Sequence, residues 1–233
     1  MRFDAHFGEA EAVQLKAAIL LYGGAKRIAF ASVHEPYRDS EGAPYLDAGR
    51  PISTECLRTL ARGLGLGMAL EILPESVVMR TPEVTAWWVP AAVRPMFFSE
   101  TSDGKTLNGK SYPHPPLVFV VDGEHGLSLR ALMEDCRPGP PSAIAIAPYW
   151  NVNQAGGVCL GSMVTPRSPG LAGLAEWVEG FFRSEFTHAG NVKITNHHEG
   201  HLGLWRDLAG RQVFPPEWLI PAGTLEDWLC RRS

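Results

Sequence analysis

The chain has 233 residues, 45% of them hydrophobic, and carries a formal net charge of −4 at pH 7. This length and composition predict a globular protein, as one large domain or two small ones, with a substantial core. The acidic balance and the lack of a long basic run argue against nucleic acid or a membrane as a partner. The sequence has no apolar run long enough to span a bilayer and no signal-peptide pattern, so we expect a cytoplasmic protein.

The first part of the chain alternates between strand and loop patterns. Strands are predicted over residues 12–22 and 27–33, joined by a turn at Gly23-Gly24. A helix over residues 10–21 is the alternative, because Ala, Leu, Lys and Gln favour helices. Residues 38–51 read as a loop. We expect residues 1–50 to form an N-terminal extension, with strands packed on a main domain at residues 51–233.

The main domain opens with a helix followed by strands. Ser53 is the predicted N-cap of a helix in which Leu57, Leu60, Ala61 and Leu64 share one face, with Cys56 turned to the core beside them. Strands are predicted over residues 76–80, 84–89, 95–98, 117–121 and 127–133, the last two joined by a turn at Asp122-Gly123. In the second of these strands, Trp87 and Trp88 lie on opposite faces, and one of those faces is a candidate partner surface.

The strongest chemical signal is a single cysteine after a turn rich in Asn and Gly. The apolar run over residues 143–147 leads through Asn151 and Gly156 to Cys159, which stands between Val158 and Leu160. A thiolate is a nucleophile, and a nearby amide such as Asn151 can stabilise an oxyanion. The alternative is that Cys159 is a small buried hydrophobe.

The other cysteines and the histidines offer weaker candidates. Cys56, Cys136 and Cys230 have no short pair spacing, so neither a zinc cluster nor a disulfide framework is predicted, and we expect no cofactor. His197, His198 and His201 surround Glu199 without the spacing of a zinc protease helix, and Gly200 disfavours a regular helix there. Three interpretations of these histidines are open. They form a zinc-binding loop, they lie in a polar surface loop, or one of them approaches Cys159 and assists its chemistry.

Downstream of Cys159, the pattern of Leu171, Leu174, Val178 and Phe181 predicts a core-packing helix. No long helix is predicted from residue 188 onward. A short terminal helix is predicted over residues 224–229, with Thr224 as its cap.

These motifs, in this order, resemble those of ubiquitin-conjugating enzymes. Tyr149-Trp150-Asn151 stands where that family has His-Pro-Asn, with Asn151 at the family spacing before Cys159. Upstream, Tyr112-Pro113-His114-Pro115-Pro116 is similar to the Tyr-Pro-x-x-Pro-Pro motif, in which we expect His114 to face solvent, and Ser168-Pro169 matches a downstream Ser-Pro. More closely, residues 113–168 resemble the bacterial PRTRC system protein B family, a branch of the same fold.

The resemblance implies an α+β fold, with an antiparallel meander of strands packed on helices. It also implies that Cys159 carries a ubiquitin-like protein as a thioester and passes it to an amine. Asn151 would then stabilise the oxyanion or hold the loop, and His198 and His201 are weaker catalytic candidates. The implied partners are a ubiquitin-like protein, an adenylating activating enzyme and a metal-dependent isopeptidase.

Two alternatives to the transferase remain open at this point. The first is a non-catalytic scaffold with the same fold. The second is a metal-dependent hydrolase that uses the loop from His197 to His201. A scaffold would tolerate the loss of the Cys159 thiol, whereas the hydrolase would require stoichiometric zinc.

Overall fold

A computed structural model describes the chain over residues 15–24, 27–63, 71–99, 104–123, 126–167, 170–187 and 192–230. The chain divides into two compact units, Met1–Leu70 and Glu71–Ser233. Helix 54–63, which the sequence interpretation assigns to the main domain, falls in the first unit. No helix in the described ranges is long and apolar enough to cross a bilayer.

The first unit contains short antiparallel strands and one helix. Strands β1 and β2 form the predicted hairpin, β5 pairs with β2, and β3 pairs with β4 inside the predicted loop. The alternative helix is therefore wrong over its described part, and residues 10–14 lie outside the described ranges. The elements are β1 (Ala18–Gly24), β2 (Arg27–His34), β3 (Pro36–Arg38), β4 (Pro44–Leu46), β5 (Arg50–Pro51) and α1 (Thr54–Gly63).

Helix α1 begins as predicted. The Ser53 hydroxyl accepts a hydrogen bond from the Cys56 N–H at 3.1 Å, which satisfies one of the free donors of the first turn. The expectation that Cys56 faces a core beside Leu57 and Leu60 is wrong. Both leucines are exposed, and no residue of the helix is buried.

The second unit is built on a six-stranded antiparallel sheet with the order β15-β13-β12-β11-β7-β6. Its elements are β6 (Val77–Arg80), β7 (Val84–Val89), β8 (Ala92–Pro95), β9 (Phe97–Phe98), β10 (Ser111–His114), β11 (Leu117–Asp122), β12 (Gly126–Leu132), β13 (Ala143–Ala145), α2 (Leu174–Arg183), β14 (Glu185–Phe186), α3 (Gly200–Leu208), β15 (Pro221–Thr224) and α4 (Leu225–Cys230). Outside the sheet, β8 pairs with β10, and β9 pairs in parallel with β14.

The sheet buries both of its faces. On one face, Trp87 and Phe119 stack with ring centroids 5.5 Å apart and join the larger core, which includes Phe181 of α2 and Trp205 of α3. On the other face, a smaller core contains Val118, Val120 and Trp228 of α4. Trp88 packs against this second core, which confirms that the Trp87-Trp88 pair lies across the sheet.

Three local differences from the predicted elements have clear causes. The strand predicted over residues 95–98 is divided, because the backbone of the fully buried Met96 bonds to Lys110 and Gly109 instead of continuing a ladder. Residues Ser111–His114, which include the start of the proline motif, form the strand β10, which was not predicted. Helix α3 was not predicted because of Gly200, which in fact occupies its first position with φ +67°.

The two remaining helices agree with their predictions. Helix α2 buries Leu174, Phe181 and Phe182, as its apolar stripe requires. Helix α4 is capped by Thr224, whose hydroxyl accepts a hydrogen bond from the Asp227 N–H at 3.3 Å.

Candidate active site around Cys159

A tight hairpin leads to Cys159. Val152 and Val158 form an antiparallel bridge, and Asn153 closes the turn between them. Its N–H donates to the Gly157 carbonyl at 3.0 Å, its carbonyl accepts from the Gly156 N–H at 2.9 Å, and its side-chain oxygen accepts from the Gly157 N–H at 3.0 Å. Asn153 is therefore the turn residue that its sequence context predicts.

The hairpin is joined to the edge of strand β12. The Val158 N–H donates to the Leu127 carbonyl at 3.0 Å, and the Leu129 N–H donates to the Gly156 carbonyl at 2.8 Å. Gly156 has φ +97°, and a Cβ at this position would lie 2.9 Å from the Leu129 carbonyl oxygen. Glycine is required here both for the backbone conformation and for the close approach to the sheet.

Cys159 is exposed and is not in a disulfide, so the interpretation of it as a buried small hydrophobe is wrong. Its N–H donates to the Asn151 carbonyl at 2.8 Å, which continues the hairpin ladder by one residue. The half-buried Val158 and Leu160 pack against the core on either side. The backbone of Cys159 is therefore held while its thiol faces solvent.

The side chain of Asn151 connects the hairpin to the segment after α2. Its amide nitrogen donates to the Glu185 carbonyl at 2.9 Å, and its amide oxygen accepts from the Thr187 N–H at 3.3 Å. On the other side of Cys159, the Ser162 hydroxyl accepts from the Glu185 N–H at 3.0 Å. The backbone of Glu185 is thus held by residues on both sides of the cysteine.

Glu185 is the residue at this site that sequence analysis missed. Its backbone is bonded next to the cysteine loop, and its exposed side chain supplies a carboxylate. Glu185 is the first residue of β14, whose two-residue parallel pairing with β9 no local sequence pattern predicts. Only the position directly after the core helix that follows Cys159 could have drawn attention to it.

The two sequence motifs meet in the core through His114 and Tyr149. The Tyr149 hydroxyl donates to His114 Nδ1 at 3.0 Å, and His114 Nε2 donates to the Arg94 carbonyl at 3.4 Å. The expectation that His114 faces solvent is wrong, because these partners and the rings of Phe182 and Trp205 enclose it. Burial lowers the pKa of His114 to about 3 and raises the pKa of Tyr149 well above its usual value.

The histidines beyond α2 are divided between the core and the surface. His197 is buried and bonds through Nε2 to Asp207 at 3.1 Å, so the stretch is not simply a surface loop. His198 is exposed, and its ring lies 4.5 Å from that of His197. The ring of His201, in α3, lies 5.8 Å from that of Trp150, the neighbour of Asn151.

These contacts bear on the metal hypothesis. Across the residues that the structure describes, no group of three or more His, Cys, Asp or Glu side chains is arranged to hold a metal ion. His197 is already engaged at both ring nitrogens, since Nδ1 accepts from the Glu199 N–H at 3.2 Å. The Ser168-Pro169 motif lies outside the described ranges.

An antiparallel sheet that packs against helices and carries an exposed cysteine on a hairpin bonded to β12 is compatible with the class of proteins like the ubiquitin-conjugating enzymes. Within that class, the sequence model of prokaryotic E2 family D matches residues 59–222, and the chain belongs to this family. No curated protein and no solved structure gives a significant match to the chain.

Proposed function

We propose that this protein carries a ubiquitin-like protein as a thioester on Cys159 and transfers it to an amine, as a member of the PRTRC system protein B branch. The observation that carries the proposal is the exposed thiol of Cys159 on a backbone that is bonded to Asn151. Membership of prokaryotic E2 family D supports a ubiquitin-conjugating type of chemistry.

The reaction consists of two acyl transfers. The Cys159 thiolate attacks the thioester carbonyl carbon at the C-terminus of the ubiquitin-like protein on its activating enzyme, a new C–S bond forms, and the activating enzyme's thiolate leaves. An amine then attacks the Cys159 thioester, a C–N bond forms, and the Cys159 thiolate leaves. The amine must lose one proton in this second step.

In this proposal, Asn151 holds the site together. One amide hydrogen is used by the Glu185 carbonyl, and the second has no acceptor among the described residues. In the proposed mechanism, this second hydrogen binds the oxyanion at Cys159 while the first holds the loop. Loss of an oxyanion donor raises the barrier by about 3 kcal/mol.

Glu185 is our candidate for the acceptor of the amine's proton. Its backbone is bonded to Asn151 and Ser162, on either side of Cys159, and its side chain is exposed. A carboxylate near the attacking nitrogen stabilises the ammonium that forms and takes up its proton. His198 and His201 remain weaker candidates for the same task.

The partners follow from the proposed chemistry and branch. They are a ubiquitin-like protein, an adenylating activating enzyme that supplies it as a thioester, and a metal-dependent isopeptidase that reverses the product. Family membership supports the first two in general terms, because proteins of this type receive their cargo from activating enzymes.

The test is an intact-mass and non-reducing gel assay with the cognate ubiquitin-like protein, its activating enzyme and ATP. We expect a thiol-labile adduct on the wild type and on Cys136→Ser, a control that removes another exposed thiol. Cys159→Ser should give a stable ester or no adduct. If the activating enzyme carries the ubiquitin-like protein as a thioester but the wild type forms no adduct, the result contradicts the proposal and favours the scaffold.

A further inference from the structure

An apolar groove in the second unit lies between the end of β7, β8 and helix α2. Its volume is about 640 Å³, within the range of roughly 300–1,000 Å³ that is typical of ligand sites. On the sheet side, the groove is lined by Trp87, Trp88 and Val89, and on the helix side by Leu174, Val178 and Phe182. Apolar surface of this extent binds apolar groups.

The groove also contains a cation that has no acidic partner among the described residues. The Arg94 guanidinium lies 5.0 Å from the centroid of the Phe182 ring, and among the described residues it forms no ion pair. The other arginine of the lining, Arg183, is paired with Glu179 at 2.8 Å. The open charge of Arg94 therefore favours a ligand that carries a carboxylate.

The rim of the groove indicates what kind of occupant fits. Ala172 and Ala175 line it and are exposed, so their small side chains leave the helix side of the groove open to solvent. A ligand lying here keeps one side in solvent, as a peptide does when it lies across an aromatic-lined groove.

We propose that this groove binds a short segment of a partner protein in which apolar side chains flank a carboxylate. The carboxylate pairs with Arg94, and the apolar side chains lie against Leu174, Val178 and Phe182. The inference does not depend on thioester chemistry at Cys159, so either proposal can fail without the other.

The test uses fluorescent hexapeptide pools and polarisation measurements on the full chain. Each pool fixes one central residue as Glu, Gln or Lys and fixes its neighbours as Leu or Ser. We expect the Leu/Glu pool to bind at least about tenfold more tightly than the Leu/Lys and Ser/Glu pools, because the first of these lacks the charge pair with Arg94 and the second lacks the apolar contacts.

Substitutions in the groove provide the decisive comparison. Arg94→Gln should abolish the preference for Glu over Gln, whereas Arg94→Lys should retain part of it. Ala175→Glu should weaken the Leu/Glu pool more than its size-matched control Ala175→Gln does. Arg206→Gln, an exposed arginine elsewhere, should change nothing.

Three results would overturn the proposal. The first is equal binding of all pools by a wild type with a native circular dichroism spectrum. The second is a Glu preference that survives Arg94→Gln. The third is tight binding of decanoate that is lost in Arg94→Gln and blocks the pools, which would reassign the groove to a small amphiphile.

Discussion

At the scale of single residues, the site depends on side chains that bond to backbone rather than to one another. The nitrogen and the oxygen of the Asn151 side-chain amide both form hydrogen bonds with the backbone after α2, and Ser162 bonds to the same segment. The geometry around Cys159 is therefore set by hydrogen bonds that single substitutions can remove.

Replacing Asn151 tests this arrangement. Asn151→Ala removes two hydrogen bonds of a half-buried side chain, and we expect the free energy of unfolding to fall by about 1–2 kcal/mol. Urea unfolding measures this loss, and amide exchange at Thr187 should accelerate. Asn151→Asp keeps the acceptor for Thr187 and loses the donor to Glu185, so it should preserve slow exchange at Thr187. Equal exchange in both variants would contradict this assignment.

The buried His114 gives the fold a defined response to acid. Its pKa is lowered from 6.5 to about 3 by burial, so the unfolded chain binds its proton more readily than the folded chain. This contribution to stability is complete above pH 6.5 and declines as the pH falls from 6.5 towards 3. The decline is about 1.4 kcal/mol per pH unit for one such group.

The measurement is urea unfolding of the wild type and His114→Gln across that pH range. The variant should be less stable at neutral pH, because it loses the bond from Tyr149, but its stability should fall less steeply with acid. Parallel curves for the two proteins would show that His114 does not titrate as its buried position requires.

The burial of a polar residue is what the sequence predicts least well. His114 and His197 stand in polar or proline-rich stretches, yet both are buried. His114 bonds to Tyr149 and His197 bonds to Asp207, partners that no short-range pattern predicts. By contrast, Ser53 and Thr224 were identified as caps, because a cap is defined by the backbone of the next few residues.

At the scale of elements, the cysteine hairpin depends on one close backbone approach. Gly156→Ala places a Cβ 2.9 Å from the Leu129 carbonyl in a conformation that alanine adopts only with strain. We expect a loss of about 2–4 kcal/mol in unfolding free energy and a displaced hairpin.

A matched substitution separates strain from crowding. Gly210 has φ +81°, and a Cβ there would have no neighbour within 4 Å. Gly210→Ala should therefore lose only about 1 kcal/mol, the usual consequence of a left-handed conformation. Thermal or urea unfolding of both variants makes the comparison, and equal losses would mean that the approach to Leu129 is not tight.

Elements with a clear period or a strong turn were predicted closely, whereas those that depend on distant pairing were not. The predicted bounds of β7 agree with the structure, because alternation and flanking turn residues define them. Strand β10 was missed, since prolines are rare inside strands and only its pairing with β8 makes this segment a strand. Helix α3 was missed because glycine at its start conceals the pattern that follows.

At the scale of the whole molecule, the hydrophobic core belongs to the second unit. Every buried hydrophobic residue in the described ranges lies between Val77 and Trp228, whereas the first unit buries only the polar residues Ser32 and His34. The sequence predicted a mixed α+β protein with an antiparallel sheet. Our placement of the domain boundary after residue 50 remains a prediction.

This distribution predicts how the chain responds to truncation. A fragment of residues 71–233 should unfold cooperatively in urea, with a midpoint close to that of the corresponding transition in the full chain, because its core is intact. A fragment of residues 1–70 should unfold without cooperativity. If removal of residues 1–70 left the remainder without a cooperative transition, the core of the second unit would not be self-sufficient.

The edge of the main sheet also sets an order of assembly. Ala143 in β13 pairs with Thr224 in β15, so the hairpin of Cys159, helix α2 and helix α3 all lie in the loop that this pairing closes. Closing a long loop lowers the chain's entropy, and such contacts slow folding. The cysteine hairpin instead forms its ladder with the nearby β12. We expect the hairpin to form on β12 and to expose the Cys159 thiol before β15 pairs with β13. The thiol should stay exposed when β15 detaches from the sheet.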